Sequence, residues 1–303
     1  MAPPEQHTTY QTIPSRLQTK LVAVTLVILV GAAAIHGRLG DEPDDGVTGG
    51  PAASRNKTHT HIYFLLDRSG SMESIASDVL GGFNAFVRDQ TRDAAETTLP
   101  TFLSLIQFDD RDPFECVLTR EAITDVQELT RDTFQPRGLT PLLDAIGNVI
   151  EHASKDEGGG QADKGAENTV VVVFSDGQEN ASRKHSRKAV FDLVKEREAA
   201  GWTFVFLGAN QDSYVEAGGY GVSRGSTQNF KFDSGGVKSA FHSLSRASSS
   251  MNKKLYREHM APSHAPTADG VLLGDVPVME QYKPDEFFEG IKEAEADIAA
   301  RGK

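Results

Sequence analysis

The chain has 303 residues, 38% hydrophobic and 24% charged, a composition that suits one sizeable globular domain with appendages, or two small domains. A formal net charge of −12 at pH 7 argues against a non-specific binder of nucleic acid or of anionic membrane, which would be basic. One cysteine, Cys116, excludes an internal disulfide framework, and it reads as a small buried apolar residue.

Residues 1–36 join a polar stretch to an apolar run from Leu21 to Ile35, broken only by Thr25 and Gly31. The run is shorter than the roughly 20 residues of an ordinary spanning helix. It predicts a secretory leader, with Ala32-Ala33-Ala34 as a cleavage candidate, or an uncleaved membrane anchor. Arg16 and Lys20 precede it and Asp41-Glu42-Pro43-Asp44-Asp45 follows. The positive-inside bias therefore places the rest of the chain outside the cytosol. The alternative is a buried helix or an upstream extension on a cytoplasmic protein. Residues 37–58, acidic and rich in Gly and Pro, read as a flexible linker.

A globular domain is expected over residues 59–255. His61-Ile62-Tyr63-Phe64-Leu65-Leu66 reads as a buried strand ending on Asp67. Ile75, Val79, Leu80, Phe83, Phe86 and Val87 then form one helical stripe. Thr101–Phe108 reads as a strand running into Asp109-Asp110, and Phe114–Leu118 as a short edge strand. Pro141–Ile150 reads as a helix with proline in its first turn, where the missing N–H is harmless. Thr169–Phe174 is wholly apolar, as in a parallel sheet covered on both faces. A helix over Arg183–Ala199, a strand over Thr203–Leu207 and a short helix from Asp212 to Glu216 come next. Val237, Phe241 and Leu244 mark a last domain helix. Alternating strands and helices predict an α/β fold, a doubly wound, mostly parallel sheet with helices on both faces. Residues 256–303 read as a Pro/His/Ser linker and an amphipathic helix with a Phe287, Ile291, Ala294, Ile298 stripe, docked on its own domain or offered to a partner groove.

Chemistry concentrates at Asp67-Arg68-Ser69-Gly70-Ser71, on the loop after the first strand, where open α/β sheets bind ligands. Taken alone, this fragment also reads as a helix N-cap. The Asp-x-Ser-x-Ser pattern resembles the first part of the metal-ion-dependent adhesion site of von Willebrand factor A domains. Thr140, in Gly138-Leu139-Thr140-Pro141, and Asp176, after the Thr169–Phe174 strand, match that site's remaining threonine and aspartate. The resemblance covers roughly residues 58–255. It is closest to compact bacterial-type single-domain members, through Gly81-Gly82-Phe83-Asn84, Gln107-Phe108-Asp109-Asp110-Arg111, Asp176-Gly177-Gln178-Glu179-Asn180-Ala181-Ser182 and Phe206-Leu207-Gly208-Ala209-Asn210-Gln211-Asp212.

The resemblance implies a Rossmann-like fold and a divalent ion on Asp67, Ser69, Ser71, Thr140 and Asp176. An all-oxygen set with two carboxylates makes Mg²⁺ the default, with Mn²⁺ or Ca²⁺ as alternatives. Two carboxylates roughly neutralise such an ion, so an open coordination position favours an anionic oxygen, an Asp or Glu carboxylate of a protein partner. Asp109 and Asp110 are candidates for the rim of the site, against a bland reading as a solvated turn. Other features read blandly: Arg183, Lys184, Arg187 and Lys188 as a solvated helix face, and His59 and His61 as a polar strand entry, since two ligands make a weak metal site. Asn56-Lys57-Thr58 and Asn180-Ala181-Ser182 match glycosylation sequons.

Two functions follow. The first is a metal-dependent protein-binding module. The second is a metal-assisted hydrolase or phosphotransferase using Asp67. The second lacks a proton donor two residues on, where Ser69 stands, and no histidine lies in either aspartate-bearing motif.

Overall fold

The computed structural model describes residues 57–159, 167–209, 213–260, 283 and 286–288. The apolar run Leu21–Ile35, nearly all of the predicted linker, the 210–212 part of one motif and the Ile291, Ala294, Ile298 stripe lie outside these residues. Among the described residues no helix is long and apolar enough to cross a membrane.

The elements are β1 (His59–Asp67), α1 (Ala76–Thr97), β2 (Thr101–Phe108), β3 (Glu115–Ala122), α2 (Leu142–Gly159), β4 (Glu167–Ser175), α3 (Arg187–Ala199), β5 (Thr203–Ala209), α4 (Ser213–Gly219), β6 (Thr227–Phe230) and α5 (Ser234–Met260). The described strands form one sheet in the order β3-β2-β1-β4-β5-β6. Only β3 runs antiparallel, against β2. The predicted α/β architecture is therefore observed. The chain steps outward from β1 to β2 and then crosses to β4 on the other side, so β1 lies at the switch point of the winding. The crevice beyond its carboxyl end is where such sheets take ligands.

The apolar strands divide their side chains between two cores because successive residues point to opposite faces. Ile62, Phe64 and Leu66 enter a cluster with α1 and α5. Tyr63 and Leu65 enter one with α2, α3 and α4. In the first, Phe241 of α5 stacks on Phe174, centroids 4.8 Å apart, and Phe64 meets Phe83 edge-to-face at 5.3 Å. Gly82 permits this approach: a Cβ there would lie 2.2 Å from Phe241 Cδ2. Its neighbour Asn84 pins the loop after β3, donating to the Leu129 carbonyl at 2.9 Å and accepting the Leu129 N–H at 2.8 Å. Phe287 and Phe288, far along the chain, are buried in this same cluster. Phe288 N–H donates to the Gly225 carbonyl at 2.9 Å.

Several local expectations change. The helix expected from Arg183 begins at Arg187, capped by Ser186, whose hydroxyl accepts the Ala189 N–H. β6 was not expected. Cys116 is exposed on the edge strand β3 rather than buried. His61 is no mere polar strand entry: it is fully buried, with Nε2 2.9 Å from Ser104 Oγ and Nδ1 2.9 Å from Arg120 Nη1. Glu167 draws His59, His61 and Arg120 around it, and despite its burial they hold its carboxyl well below the usual carboxylate range.

Candidate functional site

Asp67, the last residue of β1, is fully buried at the carboxyl end of the sheet. Its Oδ1 accepts the Ser69 N–H at 2.7 Å and its Oδ2 accepts the Ser175 hydroxyl at 2.6 Å. Ser69 Oγ lies 3.1 Å from Ser71 Oγ, and Ser71 Oγ donates to Asp176 Oδ1 at 2.9 Å. The helix N-cap reading of this loop fails: Ser69 occupies the cap position of a 3₁₀ turn over Gly70–Ile75, but its hydroxyl makes no cap bond. Ser71 lies within that turn, so the α-helix and its dipole begin only at Ala76.

Thr140 comes from the loop before α2. A Cβ on Gly177 would lie 2.9 Å from Thr140 Oγ1 and 3.7 Å from Asp67 Oδ2, so hydroxyl and carboxylate flank the same small space beside a residue that leaves it open. The loop after β4 locks Thr140 in place. Its N–H donates to Asn180 Oδ1 at 2.9 Å, and the Asn180 N–H returns to its carbonyl at 3.1 Å. Glu179 accepts the Leu143 N–H at 2.8 Å, and Asp144 accepts the Arg183, Lys184 and His185 N–H groups at 2.7–2.9 Å. Asp144 thereby holds the segment between β4 and α3 beside the start of α2, and α3 itself starts only at Arg187. The five expected residues Asp67, Ser69, Ser71, Thr140 and Asp176 therefore converge at the ends of β1 and β4 and the start of α2.

Asp109 and Asp110 part company. Asp109 is fully buried, which corrects its reading as a solvated turn. Its Oδ2 receives Arg68 Nε at 2.7 Å and Arg137 Nε at 2.8 Å, and its Oδ1 receives the Arg111 and Asp112 N–H groups. Two guanidiniums distant in sequence make that burial tolerable. They and the backbone donors hold the carboxyl below its ordinary value against the opposing effect of desolvation. Asp110 is exposed, and its Oδ1 accepts the Leu139 N–H at 2.8 Å. Three of the four basic residues before and within the start of α3 are engaged in the chain's own ion pairs: Lys184 meets Glu151, Arg187 meets Glu216 and Lys188 meets Asp192, while Arg183 is exposed.

The electrostatics of the convergent set are lopsided. Arg68, flanked by Asp67 and Ser69, turns away to Asp109. Among the described residues, Asp67 and Asp176 make no ion pair. Burial pushes the Asp67 carboxyl up to about 7 despite its Ser175 and Ser69 hydrogen bonds, and Asp176 adds to the rise. Burial raises Asp176 as well. A buried and a half-buried carboxylate with three hydroxyls and no cation beside them form an oxygen-only donor set suited to a hard divalent ion. Among the described residues no cluster of three or more His, Cys, Asp or Glu is arranged to hold a metal. This set has two carboxylates, its other oxygens being hydroxyls. Ser175 was not singled out from sequence, and Asn180 entered only within a motif of the resemblance and as a glycosylation sequon, with no role at the site. Ser175 directly precedes Asp176, and that adjacency was the one available signal.

The family profile of the von Willebrand factor type A domain matches residues 61–237, more than half of the chain. The chain belongs to the von Willebrand factor type A domain family. No curated protein sequence matches it. Solved structures similar to the A domain share little sequence. The SpRpn10 VWA domain is 13% identical, with 60% of this chain and 93% of that one covered and a TM-score of 0.43. Proximal thread matrix protein 1 of the mussel byssus, solved with a zinc-occupied MIDAS motif, is 16% identical over 63% of this chain and 48% of that one, with a TM-score of 0.45. Manganese-loaded TRAP protein of Plasmodium vivax is 13% identical over 60% and 72%, with a TM-score of 0.39. The A domain is a protein-interaction module by family.

Proposed function

We propose that this A domain binds a protein partner through a divalent cation held by Asp67, Ser69, Ser71, Thr140 and Asp176, a complete metal-ion-dependent adhesion site. The observation that carries the reading is a pair of carboxylates, Asp67 fully buried and Asp176 partly so, joined through Ser69 and Ser71 and lacking any ion-pair partner among the described residues. A cation there supplies the missing positive charge and an electrophilic position for an Asp or Glu carboxylate of the partner. Mg²⁺ is the ion of choice for such donors, with Mn²⁺ and Ca²⁺ as alternatives. The protein's own part is positioning. Ser175 and the Ser69 N–H fix both oxygens of Asp67, Asn180 fixes Thr140, and Ser71 orients Asp176. Asp109 and Asp110 rim the site without joining the donor set, since their hydrogen bonds run to arginines and backbone.

Thermal melts with and without Mg²⁺ test the reading. Wild type melts higher with the ion, and Asp67→Ala loses the shift while staying folded. A wild type with no Mg²⁺-dependent shift refutes the site. Partner capture that survives a chelator refutes the role of the ion, and turnover of simple phosphoesters would favour a hydrolase instead.

We propose, from sequence, that Leu21–Ile35 exports or anchors the domain, so that it works outside the cytosol. Cell fractionation and protease protection test this: a domain recovered whole from the cytosol refutes it.

A further inference from the structure

Four consecutive residues, Arg137 to Thr140, are tied to three different loops. The Arg137 N–H donates to the Arg68 carbonyl at 2.7 Å, and the Gly138 carbonyl accepts the Gly70 N–H at 3.1 Å. Leu139 N–H goes to Asp110 and Thr140 N–H to Asn180. Gly138 sits at φ +70°, where a Cβ would lie 2.0 Å from Asp110 Oδ1, so only glycine follows this path without displacing the aspartate. Beneath these backbone bonds lies an ion triad. A single oxygen of Asp109 takes Nε of both Arg68, on the Ser69/Ser71 loop, and Arg137, on the Thr140 loop. Arg68 and Asp109 are buried, whereas the Arg137 side chain is 38% exposed.

We infer that Arg137 is a positioning residue of the site: through Asp109 and the Arg68 carbonyl it sets where Thr140 stands relative to Asp67, Ser69 and Ser71. The inference rests on the metal-binding reading above. The bland alternative is an ion pair that merely stabilises the fold. Two features separate the roles. Arg68, which also pairs with Glu115, still meets Asp109 once Arg137 is gone, and Arg137 is exposed enough for its loss to spare the core. What is lost is the side-chain anchor of a four-residue loop whose last member is a donor. Ligation requires donor distances held to a few tenths of an ångström, and outer partners of metal ligands are worth about 10–100-fold in affinity.

The test is a cycle of Arg137→Ala, Thr140→Ala and the double variant, with Mg²⁺ affinity measured by calorimetry and amide hydrogen exchange measured without metal. Arg137→Ala is expected to fold with a metal-free melting temperature close to wild type and to bind Mg²⁺ about tenfold more weakly. Because Arg137 acts through Thr140, the double variant binds no more weakly than Thr140→Ala alone. Arg137→Lys, which can still reach Asp109 with a point charge, recovers part of the loss. In the metal-free protein the Leu139 and Thr140 amides exchange faster in Arg137→Ala than in wild type. Wild-type Mg²⁺ affinity in Arg137→Ala, multiplicative losses in the double variant, or unchanged exchange of the two amides each overturns the inference. A wild type that binds no Mg²⁺ refutes the metal site instead, and the exchange measurement then decides alone whether Arg137 pins the loop.

Discussion

Asp67→Asn in metal-free protein gives a prediction with a worked magnitude. Burial moves the Asp67 carboxyl from its ordinary value of 3.8 up to about 7. The unfolded chain gives up this proton near pH 4, whereas the folded chain keeps it until about pH 7. Between those limits the folded state binds more protons, so the stability due to this group declines as pH rises through the window and stays at its lower level above it. At 1.36 kcal/mol per pH unit, a displacement of about three units amounts to about 4 kcal/mol, a large part of a typical domain's 5–15 kcal/mol. Asparagine keeps the shape and one acceptor oxygen for the Ser69 N–H, its amide NH2 facing a Ser175 hydroxyl that can turn to accept, and it has no proton to lose. Urea unfolding of both proteins in a chelator, from pH 4 to pH 8, reads the difference. The two should be nearly equal at the acid end, with the variant ahead by about 4 kcal/mol at pH 8. Asp176 rises in both proteins and largely drops out of the comparison. Saturating Mg²⁺ then restores wild type at pH 8 and leaves Asp67→Asn unmoved. A stability difference that stays flat from pH 4 to pH 8 refutes the reasoning.

Asn180→Ala removes the acceptor of the Thr140 N–H at an exposed position. It should cost no more than about 1 kcal/mol of folding while weakening Mg²⁺ binding about tenfold, as read by melting and calorimetry. Phe241→Ala empties the stack between Phe64 and Phe174 and should cost about 3–5 kcal/mol in chemical denaturation. Glu167→Gln should lower stability at neutral pH. The Glu167 carboxyl is held below its ordinary 4.5, so its contribution is present above that value, and the gap from wild type closes as pH falls below it in an acid titration of unfolding.

What sequence revealed and what it hid follow the range of the forces involved. β1, β2, β4 and β5 are apolar runs whose ends are marked by aspartate or glycine, so their existence is local information. Asp67, Ser69, Ser71 and Asp176 were legible because each lies next to such an end, and Thr140, on the loop before α2, was legible through the resemblance. β6 was not, since Thr227-Gln228-Asn229-Phe230 is short and polar and becomes a strand only by pairing with β5. The burial of Asp109 needs arginines at 68 and 137, and nothing around position 109 announces them. The backbone donors of residues 183–185, bound by Asp144 some forty positions upstream, were equally hidden, since no local pattern announces that contact.

The seat of Phe287 and Phe288 has a consequence for how the protein can be cut. Both rings belong to a core otherwise built from residues 62–255, yet they arrive after α5 has ended at Met260. The covalent link through residues 261–282 makes their docking intramolecular, governed by an effective concentration and not by dilution. A single proteolytic nick there turns the same contact into a bimolecular one that ordinary dilution undoes. A chain shortened at Met260 would keep every strand and every oxygen of the site while opening a notch beside β6 where two aromatic rings belong.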